Sequence, residues 1–260
     1  MIGASGTIGS RIFDLLNNSE RHKAIRFEGD ITKIEDIDSC LCGISRLDLV
    51  INSAAIVELD TVAEDLDRAL EVNCAGSAFI LSALVAKGIE VGKYLYVSSS
   101  HVYSPSVNAI AETARCDPSS QYGVTKLGGE KVSQALCQRF SIPLVVARVF
   151  SVFDERQKGS CLYSSWRRRV AGENGMPSIT VHNGASIRDF SHGSEVAAAL
   201  VKLIDTDFEG TVNIGSERVM SVVEFLHKYV SSRVNFDAIG EGDKLIPNLD
   251  ALKNLLKENK

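Results

Sequence analysis

Apolar residues along the first 150 positions alternate between strand-like runs and helix-like spacing. Short apolar runs predict buried strands at 47–52, 94–98 and 144–148, with a shorter strand at 24–27. Helical spacing predicts helices over 7–17, 33–41, 63–86 and 122–140. Because the strands are apolar throughout and alternate with helices, the pattern indicates a parallel sheet covered on both faces.

After Phe150 the alternation becomes less regular. The pattern predicts a helix around Trp166, further helices over 194–203, 221–230 and 249–257, and short strands at 179–182 and 212–214. We interpret residues 1–150 as the main domain. Residues 151–260 are interpreted as a smaller lobe interleaved with the main sheet.

Three glycines, Gly3, Gly6 and Gly9, stand three residues apart where the first predicted helix begins. Such a turn lets the backbone approach a pyrophosphate, and a helix amino end favours an anion. The pattern predicts a dinucleotide-binding loop, although ordinary turns also carry glycine clusters. Only Met1 and Ile2 precede it as strand residues, so we expect a natural start upstream of Met1 or a truncated chain.

Composition and charge argue against several classes of partner. The 260-residue chain has a net charge of −5 with both signs interspersed, so we expect no nucleic-acid or membrane partner. The sequence shows no apolar run long enough for a bilayer and no secretory signal. Its 6 cysteines lack CxxC spacing and neighbouring histidines, so we expect free thiols in a reducing cytoplasm and no metal site.

Tyr122 and Lys126 lie four residues apart on a predicted helix and therefore share one face. An ammonium there favours tyrosinate, which would lower a tyrosine pKa that is ordinarily about 10. Ser99 ends a predicted strand, at the edge where an open parallel sheet binds ligands. These three residues predict a general acid/base site, the alternative being that Tyr122 and Lys126 form only an amphipathic pair.

Taken together, these motifs resemble the extended short-chain dehydrogenase/reductase family, which includes nucleotide-sugar epimerases, dehydratases and reductases. The resemblance covers nearly the full chain through the segments GASGTIG, GDI, NSAA, SSSHVYS, YGVTK, RDF and NIGS. It implies a doubly wound parallel α/β sheet of the Rossmann type, with its first strand largely missing here, and a small carboxyl-terminal substrate lobe. It also implies NAD or NADP as cofactor, a nucleotide-sugar substrate and a possible homodimer.

Carried over residue by residue, the resemblance implies two sites. Ser99, Tyr122 and Lys126 match the catalytic set, and Arg188 matches an arginine that clamps the substrate's diphosphate. Ser100 and Ser151 border the substrate. The implied cofactor-binding residues are Gly3, Gly6, Thr7, Ile8, Gly9, Asp30, Ile31, Ala54, Ala55, Asn73, Tyr122 and Lys126.

Cofactor choice depends on the end of the second strand, where an acidic residue would bind the ribose and repel a 2′-phosphate. That strand offers Arg26, which we include among the cofactor-binding residues, and only Glu28 as an acidic candidate. The interpretation therefore leans toward NADP. The compact stretch before GDI is also similar to that of dTDP-4-dehydrorhamnose reductases.

Departures from the family pattern lie around the sugar pocket. Ser104 and Asp154 stand where glycines are common, and Ser151 where asparagine is common. Ser100 and His101 replace the Asp-Glu pair of the dehydratases, so we do not expect dehydration. His101 could act as an acid or base, or it could be a residue packed near the pocket.

Three functions remain open at this point. The first is oxidoreduction at a sugar carbon, C4, of a nucleotide sugar, by a 4-keto reductase or by an epimerase of the UDP-glucose 4-epimerase kind. The second is a cofactor-binding relative without catalysis. The third is a carbonyl reductase for a substrate that is not a sugar nucleotide.

Overall fold

The computed structural model describes residues 1–172 and 178–257. Helices in this part of the chain are α1 (Thr7–Asn17), α2 (Ile34–Cys40), α3 (Leu59–Glu64), α4 (Leu66–Leu70), α5 (Gly76–Ala86), α6 (Gln121–Phe140), α7 (Leu162–Gly172), α8 (Gly193–Ile204), α9 (Val222–Tyr229) and α10 (Asp250–Lys257). Strands are β1 (Arg46–Leu47), β2 (Val50–Asn52), β3 (Glu90–Val91), β4 (Tyr94–Ser99), β5 (Leu144–Val149), β6 (Ser151–Phe153), β7 (Ser178–His182), β8 (Ile187–His192), β9 (Gly210–Ile214), β10 (Val219–Ser221), β11 (Asn235–Ile239) and β12 (Lys244–Leu245).

The main sheet has the order β2-β4-β5-β9, and its three strand pairs are all parallel. Its apolar side chains pack into two large clusters. One contains Ile37 of α2, Leu81 of α5 and Val146, and the other contains Ile12 of α1 and Leu200 of α8. Helices therefore cover both faces, and the predicted doubly wound parallel α/β fold is confirmed.

Met1 and Ile2 take a strand position beside β2. The Met1 amino group donates to the Ile25 carbonyl at 2.7 Å, and the Phe27 amide donates to the Met1 carbonyl at 2.9 Å. Ile2 donates to Ile51 at 2.8 Å and forms a parallel bridge with Asn52. The predicted strand at 24–27 is wrong: despite the two hydrogen bonds to Met1, these residues have no regular secondary structure.

A cavity of about 270 Å³ lies beside Met1 and Ile2, between the two apolar clusters that cover the faces of the main sheet. Leu16 and Ile51 line it from one cluster, and Ile37 from the other. The cavity thus lies beside β2, although the β2 residues are themselves as buried as those of β4 and β5.

The helix predicted over 63–86 is divided in the structure. The chain leaves helical geometry at Asp65 (φ −139°), whose carboxylate accepts the Arg68 amide at 3.0 Å and caps α4. A π-helical turn, Glu71–Ala75, then connects α4 to α5. Residues Leu66–Ala86 are long and apolar enough to cross a membrane by length and composition, but Leu81 among them is fully buried in the core.

Residues after Phe150 contribute to the main sheet and to smaller sheets. β9 joins the main sheet, whereas β8 pairs with β6, β10 and β12, and β7 pairs with β11. An aromatic cluster fills this region, with the Phe190 and Phe225 rings stacked at 4.1 Å and Phe153 packed edge-on against Phe225. All 6 cysteines of the sequence lie in the described ranges and are free thiols, as predicted.

Candidate active site

The glycine turn between Ile2 and α1 is closely packed. Gly3 has a φ of +75°, and a Cβ on it would lie 2.5 Å from the Ala54 amide nitrogen. A Cβ on Gly9 would lie 2.0 Å from the Gly3 carbonyl oxygen. Gly6 meets only the Gly3 carbonyl, at 3.3 Å. Gly3 and Gly9 therefore let helix, turn and sheet edge approach, as the pattern predicts.

A pocket of about 660 Å³ opens at this turn, within the range of small-molecule sites. It is lined by most of the predicted cofactor residues, namely Gly3, Gly6, Arg26, Asp30, Ile31, Ala54 and Ala55. Thr7, Ile8 and Gly9 form the adjoining first turn of α1. The glycine cradle and the helix amino end fit the pyrophosphate of a dinucleotide.

Two charged residues shape the far side of this pocket. Arg26 places its guanidinium over the Phe13 ring at 4.4 Å. The Asp30 carboxylate accepts the Thr32 amide at 3.0 Å and the Thr32 hydroxyl at 2.8 Å. The Thr32 amide is the largest cause that lowers the pKa of Asp30, so the carboxylate stays ionised.

Asn73 lies in the π-helical turn and is buried rather than lining the pocket. Its Oδ1 accepts the Ile56 amide at 2.8 Å, and its Nδ2 donates to the Ile56 carbonyl and to Thr125 Oγ1, both at 2.9 Å. Ile56 lines the pocket, and Thr125 precedes Lys126 on α6. Asn73 thus braces the loop after β2 against the helix of the acid/base residues.

Ser99, Tyr122 and Lys126 come together at the carboxyl end of β4. Ser99 is the last residue of β4, and its hydroxyl accepts the His101 amide at 3.2 Å. Burial raises the pKa of Tyr122, and the Ser99 hydroxyl is close enough to oppose that shift in part. Lys126 is one turn further along α6, with its Nζ 4.3 Å from the centre of the Tyr96 ring. The structure therefore brings the three predicted catalytic residues into one buried region.

The protonation of this set differs from the prediction. Burial raises the pKa of Tyr122 to about 12, and the Ser99 hydroxyl only partly opposes this. Burial also lowers the pKa of Lys126 to about 7, against the effect of the Glu130 carboxylate. Lys126 is therefore only partly charged near neutral pH, and desolvation outweighs the expected lowering of the tyrosine pKa.

Close contacts and a cap fix the start of α6. The Ser120 hydroxyl accepts the Gly123 amide at 3.1 Å and caps the helix. A Cβ on Gly123 would lie 2.1 Å from the His101 carbonyl oxygen, and one on Gly129 would lie 2.1 Å from the Tyr96 hydroxyl. The helix bearing the acid/base residues therefore lies directly against the turn that follows β4.

The predicted substrate residues lie on neighbouring elements. Ser100 is buried in the short turn after β4, Ser151 begins β6, and Arg188 is on the adjacent strand β8. Arg188 forms an ion pair with Asp243 at 2.7 Å. The structure thus places Arg188 beside a carboxylate that the sequence did not mark.

His101 connects the acid/base set with Arg188. Its ring packs edge-on against Tyr122 at 5.4 Å, and its Nδ1 lies 3.5 Å from Ser120 Oγ. Burial lowers the pKa of His101, and the Arg188 charge acts in the same direction. His101 is therefore neutral at neutral pH and is in contact with the site.

Three residues near the sites escaped the sequence reasoning: Arg68, Asp243 and Glu130. Arg68 lines the cofactor pocket. Each is a charged residue that contacts an oppositely charged residue at least 18 positions away, and no short motif marks such a contact.

A further charged group joins α1 to the chain after β6. Arg11 pairs with Asp154 at 3.0 Å and with Glu155 at 3.5 Å, and Glu155 also meets His192 at 3.0 Å. Ligand atoms of Asp154, Glu155 and His192 lie within 4.8 Å of one another. Arg11 already neutralises the buried Asp154 carboxylate, so these contacts are accounted for as an ion-pair network.

Comparison with known proteins agrees with this geometry. The profile of the NAD dependent epimerase/dehydratase family matches residues 1–215. An uncharacterized protein of Sinorhizobium fredii is 28% identical over 88% of this chain, which spans only 57% of that relative's length. A GDP-6-deoxy-D-mannose reductase of Pseudomonas aeruginosa is 30% identical over a match that covers 69% of this chain and 62% of the reductase chain.

A solved structure of RMD from Pseudomonas aeruginosa complexed with NADPH superposes with a TM-score of 0.85. It covers 98% of this chain and 90% of the other at 22% identity, which shows a common fold. The family profile confirms the predicted resemblance and the predicted nicotinamide dinucleotide cofactor.

Because Lys126 is buried, we expect the stability difference between wild type and K126M to depend on pH. Its pKa is about 7 in the fold and 10.5 ordinarily, so between these values the unfolded chain binds more protons and stability rises with pH. We expect K126M to melt a few degrees above wild type at about pH 6, with the gap narrowing toward about pH 8.5. Thermal melts across this range measure it.

The matched control is K131M, which removes an exposed lysine from the same helix and should show no pH-dependent gap. A K126M gap that stays constant or widens as the pH rises would contradict the assigned pKa.

Proposed function

Because this chain belongs to the NAD dependent epimerase/dehydratase family, we propose that it catalyses NAD- or NADP-dependent oxidoreduction at a sugar carbon, C4, of a nucleotide sugar. The observation that carries the proposal is the placement of three buried residues: Ser99 ends β4, and Tyr122 and Lys126 lie one turn apart on α6, which packs against β4 through Gly129. The glycine-turn pocket lies on the neighbouring strand ends.

Each residue of the set has a separate task in the proposed reaction. The Ser99 hydroxyl holds the substrate's carbonyl oxygen, and Tyr122 gives that oxygen a proton in the reducing direction or removes it in the oxidising direction. Lys126 holds a ribose hydroxyl and, when protonated, stabilises the tyrosinate. A bound nicotinamide supplies or accepts the hydride. Burial of all three side chains keeps water from the reacting oxygen.

Reductase and epimerase use the same three residues, and a single assay separates them. Net consumption of NADPH with a 4-keto sugar nucleotide supports a reductase. Product formation without a net change in the dinucleotide supports an epimerase.

The substrate side of the proposal depends on Arg188. A guanidinium is suited to a diphosphate because its fork matches the phosphate oxygens. Arg188 is 22% exposed and paired with Asp243, so a diphosphate would meet a guanidinium whose orientation is already fixed. If Arg188 does not bind the substrate, a carbonyl reductase for a different substrate becomes the better reading.

The cofactor preference that we propose is NADP. Arg26 and Glu28 both line the pocket, Glu28 is exposed, and the Arg26 guanidinium is held over Phe13. A 2′-phosphate adds charge that a guanidinium can bind bidentately. We also propose a cytoplasmic location and a homodimer, the second to be tested by analytical ultracentrifugation.

The Tyr122 hydroxyl is expected to be essential. Y122F should lower kcat by about 100-fold or more, because it removes the group that transfers the proton. The dinucleotide Kd should stay within about twofold of wild type, because the ring remains. The control Y229F removes a hydroxyl from the aromatic cluster after Phe150. Unchanged turnover in Y122F would favour a cofactor-binding protein without catalysis.

The role of Arg26 is expected to appear as a change in preference. R26S should weaken NADPH binding by about 10-fold or more and leave NADH binding nearly unchanged, since only NADPH carries the additional phosphate. Fluorescence titration of both reduced dinucleotides measures this. R21S removes an exposed arginine outside the pocket and serves as the control. An equal loss for both dinucleotides would refute the assigned role.

The role of Arg188 is expected to appear in the substrate KM. R188A should raise the KM of the sugar nucleotide by about 10-fold or more through the loss of charge-assisted hydrogen bonds to the diphosphate. R188K should be intermediate, and the dinucleotide Kd should not change. An R188A variant with the wild-type KM would remove the diphosphate clamp from the proposal.

A further inference from the structure

The Asp30 carboxylate at the cofactor pocket is held on both of its oxygens. Thr32 donates to Oδ1 through its amide and its hydroxyl. Arg68 donates to Oδ2 through Nη2 at 2.5 Å, and its Nη1 donates to Thr32 Oγ1 at 2.7 Å. A single guanidinium therefore contacts both members of the Asp30–Thr32 pair.

Arg68 reaches this site from a distant part of the chain. It lies on α4, 38 positions after Asp30, and its side chain is 35% exposed. Its Nη1 also donates to Glu71 at 3.1 Å, the first residue of the π-helical turn that carries Asn73. The guanidinium thus bridges the loop after Phe27 and the segment that braces the other wall of the pocket.

We propose that Arg68 is a positioning residue for the adenosine end of the dinucleotide. It fixes the Asp30 carboxylate, so that this acceptor faces the pocket in one orientation when a nucleoside with N–H or O–H donors enters. The inference rests on the proposed cofactor site and adds a residue to it. Because the carboxylate does not have to be ordered on binding, its alignment favours affinity.

The alternative is that the Arg68 contacts stabilise the fold and have no effect on dinucleotide binding. Exposed ion pairs contribute little to stability, about 0–1 kcal/mol. Arg46 offers a matched case, because it also bridges two carboxylates, Asp48 at 2.9 Å and Glu90 at 2.5 Å, and it does not line the cofactor pocket. Comparing the two arginines separates positioning from general stabilisation.

The test measures NADPH binding to the folded 260-residue chain by fluorescence titration, without any sugar nucleotide. We expect R68M to raise the Kd for NADPH by about 10-fold, because a charge-assisted contact is lost. R68K keeps the charge but not the fork, and should be intermediate. R68M should melt close to R46M, because exposed ion pairs contribute little to stability, whereas a general loss of structure would lower the melting temperature of R68M alone.

A double-mutant cycle with D30N tests whether Arg68 acts through Asp30. If it does, R68M combined with D30N should bind NADPH no more weakly than D30N alone. R46M should bind like wild type. An unchanged Kd in R68M, a wild-type Kd in R68K, or additive losses in the double variant would each overturn the proposal. Absence of NADPH binding in wild type would instead refute the cofactor site itself.

Discussion

The buried ion pair between Glu130 and Arg148 fixes the relation between α6 and the sheet. Arg148 donates to both carboxylate oxygens, at 2.9 and 2.7 Å, and Ser98 donates to one of them at 2.6 Å. Burying two charges is unfavourable unless their hydrogen bonds are satisfied, and here they are. Because Glu130 lies two turns after Tyr122 on the same helix, the pair also sets the distance from Tyr122 to the end of β4.

Close approach of the helices at glycine positions is the second constraint. Gly129 lets α6 approach the Tyr96 side chain and the Asn73 carbonyl, and Gly123 lets it approach the His101 carbonyl in the turn after β4. Gly3 and Gly9 do the same for α1 and the loop after β2. Both helices that carry the candidate site therefore lie nearer to the strand ends than a chain with Cβ atoms at these positions would allow.

The sequence predicted what depends on local pattern. The strands at β4 and β5 and the helices α1 and α6 were found, since each is a periodic or continuous apolar run. The glycine turn and the set Ser99, Tyr122 and Lys126 came from spacing. Features that depend on distant partners were missed. β6 has only 3 residues, and β8 is mostly polar, so neither forms a continuous apolar run. The helix break at Asp65 depends on a cap, and Arg68 contacts Asp30 across 38 positions.

The burial of the candidate site determines the protonation of its acid/base residues. The same burial that raises the pKa of Tyr122 to about 12 lowers that of Lys126 to about 7. Near neutral pH, Tyr122 therefore keeps the proton that a carbonyl reduction requires, whereas the oxidising direction must first remove it. A charge that favours tyrosinate would have to come from protonated Lys126, which burial makes less available. Burial of this pair, and not the helical spacing alone, therefore sets which of the two side chains carries a proton near neutral pH.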